Sequence, residues 1–405
     1  MLRVIDNFQA IRAALLLLLL LGSQPASAIS DQELARGAMD ALFRLHYSEA
    51  EQQIYLLSEQ NPDYHMLAFL RAGVLWLKAE AAQSGVDRKP IWRKAAIAYD
   101  AAIKQAREKL KESPDSPEWQ LALGMSQFYA ARSHVGLKEI ISTYKLARAG
   151  RDTLRELIKT HPDSYDAYVV LGMYEYLAGS IPRSLKWLAY LFDISGQRDT
   201  GINYLRLTVE KAPLMSAEGA RLLIAAAAIQ PQYVDNACQY IPLARQSLKL
   251  FPQNPHFSGA YQFLHANCGY AQLALTENKR ARVVYKKDFP DMEEILNIVE
   301  LQTQRALGNL QRLQQMKPLF IKKNTAYWHL AIGQYYDMKG LRKQALQHYR
   351  IIENSQYMEE DEPDVLSNSE NKDWLLDQVY IYLDTPYRNR KPYPFAPASS
   401  LKLSH

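Results

Sequence analysis

The sequence lacks the short motifs by which common enzyme classes are recognised. It contains no G-x-S-x-G turn, no H-E-x-x-H helix, no C-x-x-C pair and no glycine-rich phosphate loop. Its 9 histidines are scattered along the chain rather than grouped. Catalytic residues can still converge from distant positions, but these absences favour a protein without enzymatic activity. No pattern indicates a metal or an organic cofactor.

Beyond its first 28 residues, the chain also lacks an apolar run long enough to cross a membrane. Residues 1–28 have the three parts of a secretory signal, namely two arginines, a leucine-rich run and a small-residue cleavage site: Arg3, Arg12, Ala13–Leu21 and Ala26-Ser27-Ala28. The alternative is an uncleaved anchor. We expect an exported mature chain. The lack of any N-x-S/T site favours the bacterial periplasm over eukaryotic secretion.

Neither sign of charge dominates. The chain has 48 Lys and Arg against 43 Asp and Glu, and removing residues 1–28 deletes two arginines and one aspartate, which leaves 46 against 42, a net +4. A small and interspersed excess gives no reason to expect a nucleic-acid partner.

Cysteine is scarce, since Cys238 and Cys268 are the only two. An even pair in an exported protein is typical of a disulfide. Two buried thiols that act as small apolar side chains are the alternative. Both readings stay open here, because the distance between two cysteines cannot be read from the sequence.

What the chain has instead is helical periodicity interrupted by proline. A proline-containing triplet follows an amphipathic stretch at 61–63, 113–115, 161–163, 212–214, 251–253 and 289–291. Proline cannot continue a helix but fits just beyond its end, so each triplet predicts a boundary between helical pairs. The intervals of 52, 48, 51, 39 and 38 residues exceed the 34 residues of a standard tetratricopeptide repeat.

Internal similarity supports the same interpretation. The residues Pro114-Asp115-Ser116 and Leu123-Gly124-Met125 recur 48 positions later as Pro162-Asp163-Ser164 and Leu171-Gly172-Met173. A third copy of the step, Ile332-Gly333, precedes Ala345 at the spacing of a tetratricopeptide repeat. The glycine and the alanine of such a repeat let two helices approach closely. We therefore predict an all-α, tetratricopeptide-like α-solenoid of about six to seven stacked helical hairpins.

The predicted boundaries follow from these patterns. After the signal peptide, residues 29–356 form the helical-repeat solenoid, in which Ser48 and Glu51 predict a capping box at the second helix. Residues 357–385 form an acidic linker and a C-terminal capping helix. Residues 386–405, rich in Pro and Ser, form a disordered tail.

The predicted binding surface is the concave groove lined by the first helix of each pair. Its candidates are the positions that follow the Leu/Ile-Gly step at helical spacing. They are Met125, Phe128 and Tyr129, then Met173, Tyr176 and Leu177, and finally Gln334, Asp337 and Met338. An aromatic and Met-rich groove suits a helix or an extended apolar peptide of a protein partner. The alternative is that half of these residues belong to the core between helices.

Residues 181–199 interrupt the repeats with a nearly all-apolar stretch. A helix that is apolar all round is buried or inserted elsewhere, so this insertion is either a plug in the concave face or an interfacial helix over 181–194. The second reading would place Trp187 at headgroup level and two cations against anionic lipid. The residues singled out for this role are Arg183, Lys186, Trp187, Leu188 and Leu191.

The stretch around this insertion also resembles a known family. The resemblance rests on G-x-Y-x-Y-L from Gly172, then Ile181-Pro182-Arg183, then L-x-x-L-F-x-I-S-G-x-R-x-x-G ending at Gly201. Residues 168–225 resemble the tetratricopeptide family of inclusion-body-clearance and outer-membrane proteins. The resemblance implies a divergent helical-repeat adaptor that associates with lipid. The export signal departs from the family's intracellular setting.

Overall fold

The computed structural model of the chain describes residues 29–80, 87–181, 194–229, 237–286, 289, 292–320, 325–354 and 372–388. Within these ranges every regular element is a helix. The predicted signal peptide, most of the 181–199 insertion, the acidic linker up to residue 371 and residues 389–405 lie outside them.

The described residues contain seventeen α-helices, which we number in chain order. They are α1 Asp31–Phe43, α2 Tyr47–Gln60, α3 Leu67–Glu80, α4 Lys89–Glu112, α5 Pro117–Gly136, α6 Ile140–Thr160, α7 Ala167–Gly179, α8 Arg198–Lys211, α9 Ser216–Ile229, α10 Ile241–Leu250, α11 Pro255–Asn267, α12 Ala271–Tyr285, α13 Met292–Ala306, α14 Leu310–Met316, α15 Thr325–Met338, α16 Arg342–Asn354 and α17 Lys372–Asp384. Short 3₁₀ turns at Ala237–Tyr240 and Lys317–Leu319 lie beside α10 and α14.

Each even-numbered helix packs against the odd-numbered helix before it and against the odd-numbered helix after it. Consecutive odd-numbered helices also touch one another from α1 to α17. The proline triplets fall after α2, α4, α6, α8, α10 and α12, so every predicted boundary lies at the end of an even-numbered helix. In the described residues this arrangement gives eight consecutive pairs and a final helix, more than the six to seven pairs predicted.

Glycines allow the paired helices to cross closely. A Cβ added at Gly124 of α5 would lie 2.5 Å from Leu154 of α6, and one added at Gly201 of α8 would lie 2.7 Å from the carbonyl oxygen of Gly172 in α7. At Gly333 of α15 the added carbon would overlap the ring of Tyr349 in α16. The prediction that the Leu/Ile-Gly step permits close helix approach is therefore confirmed.

The first pair also contacts elements far along the chain. The ring of Phe43, at the end of α1, lies 5.9 Å from Phe251 and 6.3 Å from Phe257, and the Asn254 amide donates a hydrogen bond to the Phe43 carbonyl at 3.0 Å. Arg36 Nε donates to the carbonyl oxygen of Pro213 at 2.9 Å. The chain thus curves back on itself, and its start meets the loops that precede α9 and α11.

Apolar side chains cluster in two main cores. The larger joins buried residues between Leu34 and Cys268, and the second joins residues between Leu301 and Val379. Helix α17 contacts α15 and α16 and buries Leu375 and Val379 in the second core. A terminal helix in this position covers the apolar face that the last pair would otherwise expose.

One local prediction is wrong. Helix α2 begins at Tyr47 without a side-chain cap, so Ser48 and Glu51 form no capping box there. The capping box lies at α1, where Ser30 Oγ accepts from the Glu33 N–H and the Glu33 carboxylate accepts from the Ser30 N–H. Of the predicted disordered tail, residues 386–388 belong to the described residues, and the Tyr387 N–H donates to Asp337 of α15 at 2.9 Å.

Candidate functional site

The first group of predicted groove residues does not line a groove. Met125, Phe128 and Tyr129 of α5 are buried, with exposed fractions of 0%, 5% and 4%. The Tyr129 ring packs edge-on against Phe69 at 5.2 Å and Trp76 at 5.4 Å, both on α3. Consecutive odd-numbered helices press together here, so these positions belong to the core and cannot meet a partner.

The second group is divided. Tyr176 of α7 is 9% exposed and Met173 is partly buried against the first core, whereas Leu177 is 52% exposed. Only Leu177 therefore offers substantial surface. It lies two residues before the end of α7, next to the insertion rather than along a continuous inner face.

A buried ion cluster lies beside the first group. The Glu218 carboxylate on α9 accepts from Arg132 of α5 at 2.9 Å and from Arg221 at 2.6 Å and 2.8 Å. Burial opposes the charge, but the two guanidinium groups overcome that effect and lower the pKa of Glu218 to about 2. Arg132 also lies over the Trp76 ring at 4.2 Å. Because Glu218 forms ion pairs with both arginines, the cluster stabilises the packing of α3, α5 and α9 and does not offer a binding site.

A cavity of about 620 Å³ lies where α1 meets the loops before α3, α7 and α9. Buried Asp166 at its wall accepts the backbone N–H groups of Leu214 at 3.0 Å and Met215 at 2.8 Å. Burial raises the pKa of Asp166 to about 6, against the opposing effect of these two donors. The carboxylate thereby anchors the loop that enters α9.

The third group contains a site that holds a peptide segment. Gln334 and Asp337 of α15 are 4% and 9% exposed, and Met338 is partly buried. The Asp337 carboxylate accepts hydrogen bonds from the backbone N–H of Tyr387 and the hydroxyl of Tyr349, each at 2.9 Å. Arg342 Nη1 lies 3.0 Å from each of the two carboxylate oxygens and donates to both. Asp337 thus binds the non-helical segment that follows α17.

Arginine side chains complete this site. Arg342 Nη2 donates to the carbonyl oxygens of Tyr382 and Leu383, each at 2.8 Å, and so holds the last turn of α17 beside Asp337. Arg305 of α13 is 2% exposed, donates through Nη1 to Gln334 Oε1, and lies over the Tyr387 ring at 4.6 Å from its centroid. Burial raises the pKa of Tyr349, and the neighbouring Asp337 raises it further.

Arg305 has two donor nitrogens that form no hydrogen bond within the described residues. Its Nε and Nη2 have no hydrogen-bond partner among the described residues, although both are buried. A buried guanidinium normally satisfies its donors, and an unpaired one costs free energy until an acceptor arrives. The site therefore combines a carboxylate that accepts a hydrogen bond from a backbone N–H with a guanidinium that can donate to a carbonyl or carboxylate oxygen.

Sequence reasoning found Asp337 and Gln334 but missed Arg305, Arg342 and Tyr387. Arg342 lies two residues after Gly340, whose φ is positive, so its position at the start of α16 was indicated by the sequence. Nothing in the local sequence of Arg305 or Tyr387 indicates that they meet.

The predicted candidates for membrane contact belong to the 181–199 insertion. Arg183, Lys186, Trp187, Leu188 and Leu191 lie outside the described residues. The described hairpin between α5 and α6 nevertheless exposes apolar side chains: Val135, Ile140 and Ile141 are 61%, 82% and 72% exposed. Lys138 lies at the tip of this hairpin, with a left-handed φ of 61°.

Cys238 and Cys268 are joined by a disulfide, and their Cα atoms are 5.7 Å apart. Cys238 lies in the 3₁₀ turn before α10, and Cys268 ends α11. The bond thus connects the fifth pair to the sixth. Both residues are buried, with exposed fractions of 5% and 0%.

In the described part of the chain, no helix combines the length and apolar character needed to cross a membrane. No group of three or more His, Cys, Asp or Glu side chains in the same ranges is arranged to hold a metal ion. In comparisons with known proteins, no model of a protein family matches this chain, and no curated protein matches it.

Proposed function

We propose that this protein is an exported, tetratricopeptide-like scaffold that binds an extended segment of a protein partner on the inner face of its last helical pair. The eight consecutive pairs, the glycine crossings and the prolines between pairs support the solenoid part of the proposal. The Cys238–Cys268 disulfide supports the extracytoplasmic part, because such bonds persist in oxidising compartments. Membership of the inclusion-body-clearance family remains a prediction.

The observation that carries the proposal is the placement of residues 385–388. This segment of the chain leaves α17 and lies on α15, where Asp337 accepts its backbone N–H and Arg305 covers its aromatic ring. Main-chain hydrogen bonds combined with a site for one side chain are the usual means of binding extended peptides. The chain itself therefore supplies an example of the ligand.

The partner segment inferred from this site has three features. It offers a backbone N–H to Asp337 and an aromatic side chain to the guanidinium of Arg305. It also offers an oxygen acceptor to Nε and Nη2 of the same arginine, which have no partner among the described residues. A guanidinium over an aromatic face contributes about 0.5–2 kcal/mol, and a hydrogen bond to a charged group about 1.5–3 kcal/mol. These magnitudes suit a reversible complex rather than a permanent one.

The test uses the mature chain and a fluorescent peptide with the sequence of residues 384–395. Tyr387→Ala in the protein should weaken its own segment's hold on the site and let the added peptide bind more tightly than it binds the unchanged protein. Fluorescence anisotropy measures both affinities. A peptide with alanine in place of its tyrosine at position 387 serves as the matched control and should bind more weakly.

A second substitution makes the result decisive. Asp337→Asn in the Tyr387→Ala background removes the negative charge that accepts the peptide N–H, and binding should fall by about tenfold or more. Equal binding with and without Asp337→Asn, in proteins with the same helical circular dichroism, would refute the proposed site.

The hairpin between α5 and α6 favours a second candidate function, peripheral membrane binding. Ile140 and Ile141 are 82% and 72% exposed, and they closely follow the exposed Lys138. Apolar side chains insert at the boundary of a bilayer while cations meet anionic headgroups. The insertion that would strengthen this contact, 181–194, lies largely outside the described residues.

Sedimentation with vesicles that contain anionic lipid tests this candidate. Ile140→Glu with Ile141→Glu should reduce sedimentation at low salt, and so should Trp187→Glu with Leu191→Glu. Val283→Glu is the matched control, since Val283 of α12 is 80% exposed but lies in another part of the chain. Sedimentation that is absent at low salt, or lost equally in the control, argues against membrane binding.

A further inference from the structure

The cavity of about 620 Å³ beside α1 has the size and the walls of a small-molecule site. Such sites measure roughly 300–1,000 Å³ and combine apolar walls with a few polar groups that fix the ligand's orientation. Apolar and aromatic side chains make up much of this wall: Tyr64, Met66, Leu121, Tyr165, Pro213 and Leu214. The polar groups among them decide which ligand the cavity fits.

The charged side chains in the described part of this wall are acidic. Asp31, Asp163 and Asp166 line the cavity, and no lysine or arginine lines it there. His65 adds no charge at neutral pH, because burial lowers the pKa of its ring. Two side-chain amides donate to the Asp31 carboxylate at 2.7 Å and 2.6 Å, but they are neutral and leave its charge in place. The cavity therefore favours a positively charged ligand.

Asp166 is the most deeply buried of the three carboxylates, with an exposed fraction of 6%. Its hydrogen bonds from the N–H groups of Leu214 and Met215 both fall on Oδ1, so Oδ2 has no donor among the described residues. The charge of Arg36 acts on this carboxylate, but Arg36 Nε donates to the Pro213 carbonyl instead. Burial still raises the pKa of Asp166 to about 6, because no close counterion balances the ionised form.

Two tyrosine rings add a second means of attracting a cation. Burial raises the pKa of the Tyr64 hydroxyl to about 12, and the charges of Asp166 and Asp31 add to that effect, so these three side chains lie close together. The Tyr165 ring already attracts a cation of the chain, since Lys211 Nζ lies 5.1 Å from its centroid. A tyrosine face and a carboxylate both stabilise an ammonium group.

We propose that this cavity binds a small organic amine, whose ammonium group pairs with Asp166 Oδ2 beside the Tyr64 ring. The apolar body of the amine then contacts Met66 and Leu121 in the wall. The ammonium group supplies the counterion that Asp166 lacks, which a neutral molecule of the same shape cannot do. The cavity shares no residue with the Asp337 site, so the two proposals stand or fall independently.

Titration of the mature chain with para-fluorophenethylamine, followed by fluorine NMR, tests the proposal. The matching alcohol, in which a hydroxyl replaces the ammonium group, is the neutral comparison and should bind about tenfold or more weakly. Asp166→Asn keeps the acceptor for Leu214 and Met215 but removes the charge, so it should abolish the difference between amine and alcohol. Tyr64→Leu should weaken binding of the amine about two- to fivefold.

Asp100→Asn is the matched control, because it removes the same charge at an exposed position of α4 and should leave both affinities unchanged. A second pair avoids the buried residues. Gln32→Lys places an ammonium group at the exposed edge of the cavity and should weaken amine binding, whereas Gln52→Lys on α2 should not. Equal affinities for amine and alcohol in the parent would overturn the proposal. So would an amine affinity that Asp166→Asn and Asp100→Asn change equally, in proteins with the same helical circular dichroism.

Discussion

The Tyr387 N–H and the Asp337 carboxylate are joined by a 2.9 Å hydrogen bond across 50 residues of sequence. Asp337 also accepts hydrogen bonds from Arg342 and from the hydroxyl of Tyr349, both on α16. The segment after α17 is therefore connected to both helices of the last pair. The ring of Tyr387 then covers Arg305. A short stretch of chain thus connects α13, α15, α16 and α17.

Tyr387→Ala should loosen this segment and speed trypsin cleavage after Arg388. Loss of the arginine–aromatic contact removes about 1 kcal/mol, which corresponds to about a fivefold increase in the open population and in the cleavage rate. Mass spectrometry of timed digests measures the rate. Tyr380→Ala, at a 42% exposed position of α17, should leave it unchanged. Equal rates for both variants would contradict the placement of the segment.

Asp166 should make stability fall as pH rises from about 4 to about 6. Its folded pKa of about 6 lies above the ordinary 3.8, so the folded chain binds the proton more tightly and loses stability as that proton leaves. Asp166→Asn keeps an oxygen acceptor for Leu214 and Met215 without the charge. The free energy of unfolding of the parent should be lower than that of this variant by up to about 3 kcal/mol at pH 7. At pH 4 the two free energies should be similar. Urea unfolding at both pH values measures the difference, and a constant difference would refute the prediction.

Glu218→Gln should destabilise the fold strongly. The carboxylate is 1% exposed and pairs with Arg132 and Arg221, so its neutralisation leaves two guanidinium groups without their counterion. Breaking one partner of a buried pair costs about 3–5 kcal/mol. Glu156→Gln is the control, because Glu156 and Lys159 are 72% and 65% exposed and such pairs contribute about 0–1 kcal/mol. Similar losses in the two variants, measured by urea unfolding, would show that the cluster is not structural.

Gly201→Ala should also destabilise, for steric reasons. The added carbon would lie 2.5 Å from the backbone nitrogen of Tyr176, and backbone atoms cannot move aside as a side chain can. Overpacking of this kind costs about 1–3 kcal/mol. At Gly37 of α1 the same change meets only the Gln53 side chain at 3.4 Å, so Gly37→Ala should raise stability by about 0.5–1 kcal/mol. Opposite shifts of the melting temperature are expected, and shifts of the same sign would contradict this account.

The helix boundaries were predictable from the sequence because local chemistry determines them. Proline cannot continue a helix beyond its first turn, and the five triplets from 61–63 to 251–253 each begin directly after the end of an even-numbered helix. The glycine crossings followed from the repeat pattern for the same reason. The misplaced capping box at Ser48 shows the limit of such motifs. Leu45, with φ of 64°, and His46 already turn the chain into α2.

The buried groove residues were not predictable, because their burial depends on contacts across long sequence distances. Whether Met125 faces a partner or the core depends on how tightly successive pairs curve, and that curvature is fixed by contacts such as Asn254 with Phe43, 211 residues apart. Asp337 was one of the predicted groove residues, but the backbone N–H that it accepts comes from the tail that the sequence indicated to be disordered.

The last prediction concerns the Cys238–Cys268 bond, which joins the fifth pair to the sixth across a sequence separation of 30. Closing a loop of that length in the unfolded chain accounts for about 3–4 kcal/mol of stability. Replacing both cysteines by alanine should lower the free energy of unfolding by about that amount in urea. The reductant dithiothreitol should destabilise the parent but not the double variant. Because both sulfurs are buried, we expect the reductant to act only as the chain opens, so its effect should appear slowly in the native protein and promptly in urea. If the parent and the double variant unfold at the same urea concentration without reductant, the bond does not stabilise the junction between the two pairs.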